Sequence, residues 1–159
     1  MLNARKGIFA ALLLSVLVLQ LHHASAEDRN VQRLIDPAAA PTVTYPSLPA
    51  PGEKIQIGNG YYFVYDFNKK PKPGMIIMKV DVYTAEGKKD TSMEILADSG
   101  ILSKKGAYES GDQPFMVSKN GNYLLPINIV SPGDWEIRLT IKKDGKVLLR
   151  GNYQFDVEG

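Results

Sequence analysis

"WEIRLTIKKDGKVLLR", residues Trp135–Arg150, decides the fold. Trp135, Ile137, Leu139 and Ile141 alternate with Glu136, Arg138, Thr140 and Lys142. A period of two belongs to a strand with one buried face. Asp144-Gly145 follows, the signature of a two-residue type I′ turn whose central positions both need positive φ. The chain must therefore double back, and "KVLLRGNYQFDVE" (Lys146–Glu158) becomes the partner strand, with a bulge expected at Gly151.

The same period recurs upstream. "YYFVYDFN" (Tyr61–Asn68), "MIIMKVDVYT" (Met75–Thr84), "TSMEILA" (Thr91–Ala97), "PFMVS" (Pro114–Ser118) and "NYLLPINIV" (Asn122–Val130) read as strands separated by Gly- and Asp-bearing turns. No stretch carries a helical period. About seven strands at this spacing predict an all-β fold, an antiparallel immunoglobulin-like sandwich, with a small barrel as the alternative. The chain has no cysteine, so the inter-sheet disulfide of antibody domains is excluded. Trp135 opens the penultimate strand and is expected to be buried.

The N-terminus is of another kind. Arg5 and Lys6 precede the apolar run Ile8–Leu21, and Ala24-Ser25-Ala26 has the small-x-small form that a signal peptidase accepts. Residues 1–26 are expected to be a signal peptide cleaved after Ala26, directing the chain to the periplasm or outside the cell. A retained N-terminal membrane anchor is the alternative, and no stable membrane span is expected after cleavage. Residues 27–52 form an extended Pro-rich linker, since "DPAAAPTVTYPSLPAP" holds five prolines that block a helix. Residues 53–159 are the sandwich domain.

Cleavage also changes the chemistry. His22 and His23 lie in the leader, so the mature chain has neither His nor Cys. Of 19 basic residues, removal of Arg5 and Lys6 leaves 17 against 17 acids, a net charge of zero. A neutral chain without a basic block does not point to nucleic acid. Ser-His-Asp triads, thiol nucleophiles and His-based metal sites are excluded, and an enzyme is not expected. The adjacent pairs Ser103-Lys104 and Ser118-Lys119 do not read as dyads. Asp98, Glu109 and Asp112 are able to approach one another around a loop, although exposed carboxylates are the ordinary case. Tyr61, Phe63 and Tyr65 share one strand face, expected to be core, with a ligand-binding platform over Tyr61–Phe67 as the rival. Thioethers can hold Cu(I), but Met75 and Met78 point to opposite faces, and Met75, Met78, Met93 and Met116 are expected to fill the core.

Against this frame, "GNYLLPINIVSPGDWEIRLTIKKDGKV" (Gly121–Val147), with "GMIIMKVDVYTAEGKKD" upstream, resembles the YtkA-like and FixH-like domains of bacterial exported proteins. The resemblance covers Pro71–Val157. It implies an immunoglobulin-like sandwich outside the cytoplasm. FixH-like members are associated with assembly of copper-containing oxidases, and related sandwiches such as CopC bind copper. Many YtkA-like domains carry M-P-x-M after the strand ending here in "ADSG"; this chain has Ile101, Leu102, Ser103 and Lys104 instead, and Tyr108 near the position of a histidine.

No cofactor is therefore expected, with Cu(I) retained as the alternative. The longest connection, Asp98–Asp112, is expected to be a contact surface formed by Ile101, Leu102, Lys104, Lys105, Tyr108 and Glu109. The function expected is a non-catalytic periplasmic accessory or interaction module, acting on an unknown protein partner there. A copper-handling protein and a small-ligand-binding module are the rivals.

Overall fold

A computed structural model describes residues 43–58, 60–106 and 108–159. The expected signal peptide, its cleavage point and the linker up to residue 42 lie outside the described residues.

The described residues form nine strands: β1 (Ile55–Ile57), β2 (Tyr61–Phe67), β3 (Gly74–Thr84), β4 (Glu94–Ile101), β5 (Gln113–Pro114), β6 (Met116–Val117), β7 (Tyr123–Ile129), β8 (Gly133–Lys143) and β9 (Lys146–Val157). They make two antiparallel sheets, ordered β1-β2-β3-β7-β6 and β5-β4-β8-β9. Neighbours β2-β3-β7-β6 and β4-β8-β9 repeat the ABED and CFG order of immunoglobulin sheets. The all-β sandwich is the observed fold.

Two strands exceed the expected seven for a local reason. Ile55–Ile57 pairs with Tyr61–Phe63 as a short edge strand. "PFMVS" splits, because Phe115 turns its side chain into the core and carries the chain from one sheet to the other. Gln113-Pro114 edges β4, and Met116-Val117 edges β7.

The inward faces follow the alternation. Ile76, Met78, Val80 and Val82 on β3 face Ile95 and Ala97 on β4 and Trp135, Ile137, Leu139 and Ile141 on β8, all buried. Burial of such aliphatic and aromatic surface is the main stabilising term. At the start of β8, Trp135 is 1 % exposed and its indole N–H donates to the Ser131 carbonyl at 2.9 Å. Immunoglobulin sandwiches place a tyrosine corner at this position, with its hydroxyl bonded a few residues back. Here an indole fills the same role.

The β8–β9 turn is as expected: Asp144 has φ 50° and Gly145 φ 74°. The bulge is not at Gly151. The register slips between Ile141, opposite Leu149, and Lys142, opposite Val147, so Leu148 is the extra residue. Gly151 pairs regularly with Leu139, and its missing side chain leaves room for Leu48.

Candidate functional site

The stretch Asp98–Asp112 is only in part a loop. β4 runs on through Ile101, pairing Asp98, Ser99, Gly100 and Ile101 with Arg138, Ile137, Glu136 and Trp135. Ile101 is 3 % exposed, on the same strand face as Ile95, Ala97 and Ser99. It belongs to the core and is removed from the expected contact surface. Of the other expected residues, Leu102 is half-buried, and Lys104, Lys105, Tyr108 and Glu109 are exposed. Leu102–Lys104 makes one 3-10 turn.

Two latches hold this loop. At its start, Ser103 Oγ donates to Asp134 Oδ1 at 2.6 Å, and this hydrogen bond holds the Asp134 carboxyl below its ordinary range. At its return, the Ser110 N–H donates to the Ser99 carbonyl at 2.9 Å, and the Ser99 N–H donates to Ser110 Oγ at 2.9 Å. Gly100 lets the return leg lie flat, since a Cβ there would meet Glu109 Cγ at 3.2 Å.

An ion-pair cluster reinforces the second latch. Arg138 stands on the outer face of the four-stranded sheet and donates to Asp98 and, at 3.2 Å, to Glu109. Its Nε also lies 3.7 Å from Glu136 Oε1. Burial opposes the guanidinium charge, but Asp98, Glu136 and Glu109 outweigh it and raise its pKa. Charge-assisted contacts of this kind are the stronger hydrogen bonds of proteins. Their chemistry here is positional: one cation draws strand and loop carboxylates to a single point. Asp98 and Glu109 thus converge through Arg138, whereas exposed Asp112 makes no ion pair among the described residues.

The methionines divide. Met78 and Met93 are core, at 0 % and 5 % exposed, whereas Met75 and Met116 stand out at 53 % and 64 %. The expectation that all four fill the core is corrected: Met75 faces outward on β3, and Met116 lies on a two-residue edge strand. Met75 pairs opposite Asn128 and Met116 opposite Leu124. That puts them about 13 Å apart along the strands and about 9–10 Å across, too far to share one ion. Among the described residues, no group of three or more His, Cys, Asp or Glu side chains is arranged to hold a metal.

On β2, Phe63 and Tyr65 are buried. Tyr62 stacks on Tyr83 at 5.0 Å on the outer face, with Lys54 Nζ 3.7 Å from its ring centre. Tyr61, Tyr62 and Phe67 are half-buried.

One cluster had no signal in the sequence. Lys143 Nζ donates to Tyr61 Oη at 2.7 Å and to Ser92 Oγ at 2.9 Å, and Ser92 Oγ donates to Asp90 Oδ1 at 2.6 Å. The Tyr61 hydrogen bond raises the Lys143 pKa. The lysine is held as an ammonium, a donor to Ser92 and not a base for it. Ser92 and Lys143 are far apart in sequence, so spacing alone cannot reveal the pair.

No family model matches the chain, and no curated protein matches it. Among solved structures, it is similar to FetP of uropathogenic E. coli strain F11, with 14 % identity and a TM-score of 0.44 over 67 % of this chain and 93 % of that one. A copper-bound FetP variant gives 15 % identity and a TM-score of 0.46 over 72 % and 97 %. The soluble domain of PmoD from a Methylocystis species gives 11 % and 0.44 over 66 % and 97 %. No helix among the described residues is long and apolar enough to cross a membrane.

Proposed function

We propose that the chain is a non-catalytic, exported accessory module of YtkA-like or FixH-like type, working in the periplasm by binding a protein partner. The observation that carries this reading is the latched loop. Lys104, Lys105 and Tyr108 are exposed between Ser103–Asp134 and Glu109–Arg138, presented from a rigid sheet. Loops held on rigid scaffolds are where binding residues concentrate. The test places a photoreactive residue at Tyr108 in the full chain in living cells, with Lys119 as the control position. A discrete adduct from position 108, absent at 119 and lost with Arg138→Gln, is expected. Equal adducts at both positions, or none at 108, would overturn the reading.

Handling of Cu(I) through thioethers is the second reading, favoured by the exposure of Met75 and Met116, each of which offers a single sulfur at a separate place on the sheet. A competition titration with Cu(I) decides it. Binding at micromolar strength that is lost with Met75→Leu or Met116→Leu would establish it; no binding removes it.

A further inference from the structure

The free edge of β9 is covered by a short piece of the chain's own lead-in. Leu48 N–H donates to the Asn152 carbonyl at 2.7 Å, and Asn152 N–H donates to the Pro46 carbonyl at 2.8 Å. Ser47 and Asn152 thereby form a parallel bridge. The Leu48 side chain, packed against the core, fills the notch at Gly151: a Cβ built there would lie 2.3 Å from Leu48 Cδ2 and 2.7 Å from Cγ. Glycine at 151 is thus a socket shaped for a branched aliphatic side chain. Tyr65 Oη also donates to the Pro49 carbonyl, fastening the segment from the other sheet.

The segment joins the body through a turn whose Gly52 N–H donates to the Tyr65 carbonyl at 2.8 Å, so the turn stays on β2 and is the hinge about which the segment would move. Glu53 N–H donates to the Ala50 carbonyl at 3.2 Å, and Gly52 has φ 89°. Ala50-Pro51-Gly52-Glu53 is therefore a type II turn, with Pro at its second position and Gly at its third. If that turn opens, Pro46–Pro49 leaves as a unit, and β9 is left with an open socket and unpaired backbone groups. Such an edge is a template for another strand. The prolines at 46, 49 and 51 have no N–H, so the segment itself cannot continue a ladder.

We propose that the β9 edge around Gly151 is a strand-binding slot, and that a second copy of this chain fills it by reciprocal exchange of its Pro46–Pro49 arm. The occupant is identified by fit: the chain's own Leu48 is the side chain seen in the socket. Exchange leaves every arm contact intact, so the balance between closed monomer and exchanged pair is set by the hinge and by concentration. The surface differs from the latched loop and does not depend on it.

The absence of cysteine makes a direct test available. Two full-length versions are co-expressed, one with Ser47→Cys and one with Asn152→Cys, and left under oxidising conditions. Exchange predicts a covalent heterodimer, because only an arm docked on the other copy brings the two thiols together. Its yield should fall at least tenfold with Leu48→Asp on the Ser47→Cys chain. It should rise severalfold with Gly52→Ala, which strains the hinge turn. The double variant Ser47→Cys/Asn152→Cys brings the two thiols together whether the arm docks on its own chain or on the other copy, and shows that both thiols react. No heterodimer where that control closes, or an equal yield when Lys119→Cys replaces Ser47→Cys, would overturn the proposal.

Discussion

The Tyr123 hydroxyl bonds both backbone polar groups of Met93, accepting from its N–H at 2.9 Å and donating to its carbonyl at 3.0 Å. Tyr123 opens β7 in one sheet, and Met93 immediately precedes β4 in the other. One buried side chain therefore satisfies the backbone where the chain enters the second sheet. Burial is the main cause of the raised Tyr123 pKa, which keeps the proton that the Met93 carbonyl needs. Tyr123→Phe keeps the ring but strands both groups, and should cost about 1–3 kcal/mol in urea unfolding. An unchanged midpoint would mean that water replaces the hydroxyl.

Trp135 joins packing to a hydrogen bond, and two substitutions separate them. Trp135→Ala should cost about 3–5 kcal/mol, the range for truncating a large buried aromatic. Trp135→Phe retains part of the volume and loses the N–H to Ser131, so its loss should be smaller. Equal losses would assign the residue's whole contribution to the hydrogen bond.

Arg138→Leu should free the return leg of the loop. Asp98 and Glu136, with side chains 14 % and 11 % exposed, would lose their partner, while Glu109 would return to solvent. Limited trypsin digestion should then cut faster after Lys104 or Lys105 than in the wild type. Unchanged cleavage would show that the serine contacts alone hold the loop.

Acid should weaken the fold through Asp81. Its burial raises the carboxyl pKa, but hydrogen bonds from Lys89 and Lys79 outweigh that and lower it from 3.8. The lysines stand 3.0 and 3.1 Å away. A depressed folded pKa contributes stability that is present above the unfolded value and lost as pH falls through the folded one. Stability should therefore drop as pH falls below about 4. Asp81→Asn should flatten that decline; a parallel decline in the variant would move the cause to other carboxylates, with Asp90, also lowered, the first to examine.

What the sequence determined by itself is local. Alternation at Trp135–Lys142 and the Asp144-Gly145 turn are settled by neighbouring residues, because strand period and turn sterics act over a few bonds. Hence the β8–β9 hairpin, the inward faces and the sandwich class were all legible. The tertiary structure decided whatever depends on register between distant strands. Ile101 entered the core because β4 pairs on to Trp135, and Met116 surfaced because Phe115 took the inward turn at the sheet crossing. Arg138 gathered Asp98 and Glu109, and Lys143 met Ser92, only once strands far apart in the chain were aligned. Gly151 shows the division most sharply. Sequence chemistry permits a bulge at a glycine in a strand, but the space above Gly151 belongs to Leu48, and only the fold brings the two together.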